Sequence, residues 1–200
     1  EGLEELDYYV FRSCGTIEEF TIPTSLKKIG QYALLCEIEN LHVPSLEQWC
    51  GYDLYSISAT WDNLYVNGEK ITNFVVPESM TKIPNSAFNG WTSLESVVIH
   101  DGVTSMGTNA FYNCENLKKV TIGNGLTAIQ SYAFGKCPSL TEITLPANIL
   151  VINSNAFYCS DYNYKSPLAS IRIMGDAPLM ANDAFTGVSA TVYYSANNAS

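Results

Sequence analysis

The sequence repeats itself every 23 residues. Ala87-Phe88, Ala110-Phe111, Ala133-Phe134 and Ala156-Phe157 each lie 23 positions from the last. The phase extends back from Leu34 to Phe11, again 23 residues. From Leu34 to Phe88 the spacing is 54, two periods plus eight, and from Phe157 to Phe185 it is 28, one period plus five. A fixed period of this length is the signature of stacked supersecondary units, and it constrains the fold more than any composition does. The register covers nearly the whole chain, with irregular insertions near 44–70 and 158–167. No Gly/Ser-rich linker interrupts it, so residues 1–200 read as a single repeat domain of about eight coils.

Each period has two halves. In one, Leu94-x-x-Val97-x-Ile99 recurs as Leu117-x-x-Val120-x-Ile122, Leu140-x-x-Ile143-x-Leu145 and Leu168-x-x-Ile171-x-Ile173. Its end alternates with period two and is rich in β-branched residues, which predicts a short strand. In the other half, Met106, Ala110, Phe111 and Cys114 recur as Ile129, Ala133, Phe134 and Cys137. That spacing suits a loop or a single helical turn. Gly102, Gly125 and Asn148 share one phase three residues after the strand, which predicts a turn with positive φ there. Ser86, Thr108, Ser131 and Ser154 fall beside the Ala-Phe pairs, where a hydroxyl can bond local backbone.

A coil of this length cannot bury its own apolar face, but a stack can. Each strand then pairs with the next at ~4.8 Å, so eight strands span roughly 35–40 Å. Phe11, Phe88, Phe111, Phe134, Phe157 and Phe185 form one interior column, with Leu34 substituting in one coil. The repeated residues are core and the varying residues are surface.

The stretch "IPNSAFNGWTSLESVVIHDGVTSMGTNAFYNCENLKKVTIGNGLTAI" resembles the BspA-like leucine-rich repeats, a 23-residue bacterial class. The segments "LEQWC", "LYVNGEKITNFVVP" and "ATVYYSANN" resemble the irregular and C-terminal parts of such proteins. The chain departs from the pattern at Glu37, Trp91 and Ser160, which replace the column Cys. The resemblance implies a leucine-rich-repeat solenoid, a right-handed superhelix. It has a parallel β-sheet with one short strand per coil on the concave side, and loops or short helical turns on the convex side. It also implies an extracellular or cell-surface protein, often of anaerobes of mouth or gut, that acts as an adhesin or binding protein and not as an enzyme. No signal peptide or cell-wall anchor is recognisable in the sequence.

Charge and motifs narrow the function classes. With 10 basic against 20 acidic residues the net charge is −10, the opposite of a nucleic-acid footprint and repelled by an anionic membrane. No run of 18 apolar residues is present, so no membrane insertion is expected. The six cysteines allow a disulfide framework, but Cys14, Cys114 and Cys137 share a core phase. The preferred reading is therefore mostly free, buried thiols. No C-x-x-C pair exists and the two histidines, His42 and His100, read as surface residues, so no metal, cofactor or catalytic residue is expected. Glu18-Glu19 and Lys118-Lys119 read as solvated surface, and Gly123-Asn124-Gly125 as a turn.

Two surfaces are candidates for recognition. The outward strand positions are Thr21, His42, Val75, Val98, Thr121, Thr144, Arg172 and Tyr193, a weakly polar stripe suited to protein or glycan contact. The second is aromatic. Trp49, Tyr52, Tyr55, Trp61 and Tyr65 crowd the first insertion, where the Trp residues read as core cover and Asn67-Gly68 predicts a type I′ hairpin. Tyr158, Tyr162 and Tyr164 mark the second, where interface and core cover are equally open readings. The candidate ligand-binding residues are His42, Val98, Thr121, Thr144, Arg172, Tyr193, Tyr158, Tyr162 and Tyr164. The expected function is a non-catalytic surface module that binds a protein or glycan, a host extracellular macromolecule among them. The alternative is a passive spacer segment of a larger surface protein.

Overall fold

A computed structural model describes residues 2–54, 59–159 and 166–194. The chain winds as a β-solenoid with almost no helix. Elements are numbered in chain order. The longer strands are β2 (Thr16–Thr21), β4 (Glu37–Val43), β5 (Thr60–Val66), β6 (Glu69–Ile71), β7 (Asn73–Val75), β9 (Ser96–Ile99), β11 (Lys119–Ile122), β13 (Glu142–Leu145), β15 (Ser170–Ile173) and β17 (Thr191–Tyr194). They line one side as three successive sheets, β2-β4-β5-β6, β7-β9-β11 and β13-β15-β17, parallel throughout except for β6.

To the one strand expected per coil the structure adds a second, of two residues. These are β1 (Glu5–Leu6), β3 (Lys28–Ile29), β8 (Lys82–Ile83), β10 (Ser105–Met106), β12 (Ala128–Ile129), β14 (Val151–Ile152) and β16 (Leu179–Met180), which pair in parallel between coils. Met106 and Ile129 therefore belong to strands, and each buries one side chain per ladder rung.

The Ala-Phe segments form tight turns joined by a third ladder. The Phe88, Phe111 and Phe134 N–H groups each donate to the Ala carbonyl of the next coil at 2.9 Å. Close approach of the turns leaves room only for Ala, which explains why Ala87, Ala110, Ala133 and Ala156 are wholly buried. The rings stack behind them: Phe88–Phe111 at 5.3 Å, Phe111–Phe134 at 5.7 Å, Phe134–Phe157 at 5.9 Å and Phe157–Phe185 at 5.4 Å. Leu34 fills its expected place and is fully buried, while Phe11 at the end is half-buried. In the irregular coil the helix α1 (Leu46–Cys50), capped by Ser45, supplies a substitute donor. The Trp49 indole N–H bonds the Ala87 carbonyl at 2.9 Å, where other coils use a backbone N–H.

Three expectations need correction. Positive φ does not occur at Gly102, Gly125 or Asn148. It falls on the residue two before the column position, Tyr9, Tyr32, Ser86, Asn109, Tyr132 and Asn155, all at 55–57°. Gly125 is required for space instead: a Cβ there would lie 2.1 Å from the Asp101 carbonyl oxygen. The region 44–70 is not irregular throughout, because β5 pairs in register with β4, Ile38 opposite Trp61 and Leu41 opposite Leu64, one period apart. The rhythm breaks at the hairpin after it, where Asn67 and Gly68 have φ of 51° and 81° as a type I′ turn demands. The hydroxyls near the Ala-Phe pairs reach across coils rather than locally, Thr108 to the Asn85 side chain and Ser154 to Asp183.

Cysteine burial is mixed. None of the six cysteines is in a disulfide, and Cys114, Cys137 and Cys159 are buried. Cys14, expected in the core, is exposed. Of the residues replacing the column Cys, Trp91 fills the core against Phe74 and Phe88, Glu37 opens β4 in solvent, and Ser160 lies outside the described residues.

Candidate functional site

The outward positions of the long strands come into one row. Cross-strand register places Thr21, His42 and Tyr65 side by side on the first sheet, with Lys70 of the hairpin next. Val75, Val98 and Thr121 follow on the second sheet, and Thr144, Arg172 and Tyr193 on the third. The pleat explains the arrangement: residues flanking each of these point inward to the core, so these point out.

The two ends of the row carry polar and aromatic groups. At one end the His42 and Tyr65 rings stack at 4.4 Å. The Glu19 carboxylate sits 2.6 Å from His42 Nε2 and accepts from Asn40 Nδ2 at 2.9 Å. Asn63 Nδ2 in turn donates to Asn40 Oδ1 at 2.9 Å, so Glu19, Asn40 and Asn63 form a second row beside the first. At the other end the Arg172 guanidinium lies over the Tyr193 ring, 5.5 Å from its centroid, a cation–π contact on an exposed surface. Between the ends, Val75 and Val98 are exposed apolar side chains.

The structure thus brings Thr144, Arg172 and Tyr193 together, and Val98 with Thr121. It sets His42 beside Tyr65, read from the sequence as one of the first insertion's aromatics and not as an outward strand position, and beside Glu19, read as solvated surface. The signal for Tyr65 was present, since it stands one period after His42. Tyr158 is elsewhere: its ring meets Tyr132 edge-on at 5.8 Å, and Tyr132 meets Tyr112 at 5.9 Å, a row on the turns and not on the sheet face. Tyr162 and Tyr164 lie outside the described residues. His100 is not a surface residue: its Nδ1 accepts the Gly102 N–H at 3.0 Å and its Nε2–H reaches the Pro77 carbonyl at 3.0 Å, which staples the end of one strand to the preceding coil. Trp49 and Trp61 are buried and pack edge-to-face at 5.1 Å, as core cover.

Among the described residues no group of three His, Cys, Asp or Glu is placed to hold a metal ion. No described helix is long and apolar enough to cross a membrane.

A family model for the BspA type leucine rich repeat region matches residues 1–58 and 59–191. No curated protein matches the sequence. Among solved structures, a leucine rich cell surface protein from Faecalibacterium prausnitzii superposes with a TM-score of 0.60 at 18% identity, over 96% of this chain and 63% of that one. The pneumococcal vaccine antigen PcpA gives a TM-score of 0.58 at 18% identity, over 95% of this chain and 54% of that one. The chain therefore spans a little over half the length of these similar structures.

Proposed function

We propose a recognition role for this chain, which belongs to the BspA-type leucine-rich-repeat family: it is a non-catalytic binding module of a bacterial surface protein. One observation carries the reading. The sheet face presents an in-register row of side chains whose ends, Glu19–His42–Tyr65 and Arg172–Tyr193, are polar and aromatic while the middle is small and apolar. Side chains fixed on a solenoid lose little freedom when a partner docks, which lowers the cost of binding. Aromatic and arginine side chains are also those that dominate interface energetics.

A non-catalytic role agrees with the state of the two histidines. His42 Nε2 is engaged by Glu19, and both nitrogens of His100 are engaged by backbone. Among the described residues neither histidine is hydrogen-bonded to a Ser or Cys side chain. The partner is a protein or a glycan, extracellular like the surface proteins the fold resembles. The test is an array of matrix proteins and glycans probed with the purified chain. Two double variants, His42→Ala with Tyr65→Ala and Arg172→Ala with Tyr193→Ala, should each weaken capture at least tenfold with an unchanged melting temperature. An array silent to the wild-type chain favours the spacer reading instead.

A further inference from the structure

Three Asn-Gly pairs occur in the chain: Asn67-Gly68, Asn89-Gly90 and Asn124-Gly125. Such a pair carries a chemistry of its own. The side-chain amide of an asparagine can be attacked by the backbone nitrogen of the residue after it, and glycine offers that nitrogen with the least hindrance. The attack closes a five-membered ring. It closes only when the peptide unit after the asparagine turns its nitrogen to the side of the Cβ. Whatever holds that peptide unit in place therefore protects the asparagine.

Two of the three units are held. The Gly90 N–H donates to the Tyr112 carbonyl at 2.8 Å, Gly90 is buried, and a Cβ there would lie 2.8 Å from the Thr60 side chain. The Asn124 carbonyl accepts from Asn148 Nδ2 at 2.7 Å. The Asn124 N–H donates to the Asp101 carboxylate at 2.6 Å, and Asn124 Nδ2 reaches the same oxygen at 3.3 Å. Turning either unit breaks a hydrogen bond between coils.

The third unit is free to turn. Asn67 and Gly68 are both exposed at the tip of the β5–β6 hairpin, and a Cβ on Gly68 would meet no atom within 4 Å. Among the described residues the Asn67 carbonyl and the Gly68 N–H make no hydrogen bond. The Asn67 N–H does donate, to the Val43 carbonyl at 3.2 Å, but it lies on the other side of the Asn67 Cα and survives the rotation. The rotation also has a defined end. With φ of 51° and 81° the turn is type I′. A flip of its central peptide gives type II′, the other two-residue hairpin turn, in which the first central residue has ψ of about −120°. At that angle the Gly68 nitrogen eclipses the Asn67 Cβ, as ring closure needs. Both turn types keep the Val66–Glu69 pair that closes the hairpin, so the flip costs no ladder bond. Gly68 accepts the change in the sign of φ because it has no Cβ. Asn67 is strained in the flipped turn, which makes that turn a minor state and the reaction slow.

We propose that Asn67 is a site of spontaneous modification: intramolecular deamidation through the flipped turn, with water as the co-reactant, to aspartate and isoaspartate. The Gly68 nitrogen bonds to Asn67 Cγ, the Cγ–Nδ2 bond breaks, and Nδ2 leaves with the Gly68 proton as ammonia. Water then opens the succinimide at either carbonyl. Opening at the side-chain carbonyl restores the ordinary chain with aspartate in place of asparagine. Opening at the backbone carbonyl leaves the chain running through the side-chain carbon, as isoaspartate. The two products treat the hairpin differently. Asp-Gly suits a type I′ turn as Asn-Gly does, so the aspartate chain keeps its register and gains a carboxylate next to Glu69. Isoaspartate lengthens a two-residue turn by one backbone atom, which breaks the register of Val66 with Glu69 and of Tyr65 with Lys70. Lys70, next in the outward row after Tyr65, is displaced with it, whether or not that row binds a partner.

The test is incubation of the purified chain in mildly alkaline buffer, with peptide mapping by mass spectrometry at intervals and isoaspartate scored by an isoaspartyl methyltransferase. The peptide that contains Asn67 should gain the mass difference between water and ammonia at least tenfold faster than those that contain Asn89 or Asn124. In denaturant the three should convert at similar rates, which assigns the difference to the fold. Asn67→Gly, which leaves a Gly-Gly pair that also suits the turn, should abolish the gain at that peptide with the fold unchanged. In the aged, isotope-labelled chain the isoaspartate fraction should lose the Tyr65–Lys70 cross-strand contacts and keep those of Leu41 with Leu64, while the aspartate fraction keeps both. Conversion in the folded chain that begins at Asn89 or Asn124, an equal preference for Asn67 in denaturant, or an isoaspartate chain with its hairpin intact overturns the proposal.

Discussion

Replacement of Phe134 by alanine should split the unfolding of this chain into two steps. Phe134 is 2% exposed and lies between Phe111, at 5.7 Å and 3°, and Phe157, at 5.9 Å and 17°. Truncation of a buried Phe costs ~3–5 kcal/mol, including ~0.5–1.5 kcal/mol for each stacked pair. In a solenoid each coil is held by its own contacts and those with its neighbours. On the N-terminal side of this coil both sheet ladders are missing. What remains is the turn ladder, the Phe stack, the Cys137 thiol on the Phe111 carbonyl, and two side-chain bonds, Ser139 to Glu115 and Asn148 to Asn124. Removal of one side of the stack therefore strikes the weakest joint.

The three tryptophans make this visible. Trp49, Trp61 and Trp91 are all buried and all precede that joint. Their fluorescence reports the N-terminal coils, while far-UV circular dichroism reports every strand. In urea, with a slope of ~2 kcal/mol/M, the C-terminal coils of Phe134→Ala should melt about 2 M earlier than in wild type. Part of the dichroism is then lost while the fluorescence midpoint barely moves. Phe88→Ala, on the other side of the joint and in contact with Trp91, should move the fluorescence midpoint as well. If both probes of Phe134→Ala shift together by the full amount, the coils unfold as one unit and the joint is not a line of weak coupling.

Thiol chemistry and backbone strain give further tests. Alkylation in denaturant without reductant should label all six cysteines; in the native chain at pH 8 Cys14 should react first, and Cys114 and Cys137 only on unfolding. Burial raises the Cys114 thiol well above its usual value and pushes Cys137, and likewise Cys50, up to about 12. Above about pH 9 the unfolded chain releases thiol protons that the folded chain keeps, so stability is full below that pH and falls as pH rises towards 12. A urea midpoint lower at pH 10.5 than at pH 8, with a smaller drop in Cys114→Ala with Cys137→Ala, is the expected outcome. Ser86 holds φ at 55°, and the left-handed region costs a side-chain-bearing residue ~1–2 kcal/mol. Ser86→Gly should raise stability by ~1 kcal/mol in thermal melts, and Ser86→Val should lower it by at least as much.

The core was legible because burial repeats the same residues at the same phase. Leu94, Val97 and Ile99 announce their strand, and Ala110 with Phe111 announces the turn that faces it. What was misread follows from physical degeneracy. A recurrent glycine signals either positive φ or a close approach, and at Gly125 the carbonyl of Asp101 shows it to be the second. Conversely, nothing in the letters of Tyr32 or Tyr132 announces a left-handed residue; cross-coil bonds on either side impose it. Tyr65 escaped because the hairpin places Phe74 only ten residues after Leu64, so the strand count seemed to be set by the next period. The break between β11 and β13 has no residue of its own. It arises from spacing between coils and shows only once the ladders on either side are known.

The distribution of ladders has a consequence for recognition. The turn side carries backbone bonds from the Ala87 coil to the Ala184 coil, including across the break after β11, and the Trp49 indole bonds the Ala87 carbonyl at the other break. The sheet side is divided after β6 and again after β11. Its three parts are therefore tied mainly through the turns and the Phe column. Glu19–His42–Tyr65 stands on the first part, Val75–Val98–Thr121 on the second and Thr144–Arg172–Tyr193 on the third. A ligand held by one part meets side chains already fixed by register. A ligand that touches both Thr121 and Thr144 bridges two strands that no ladder joins, so it meets side chains whose spacing is set by the turns and by the Ser139–Glu115 and Asn148–Asn124 bonds.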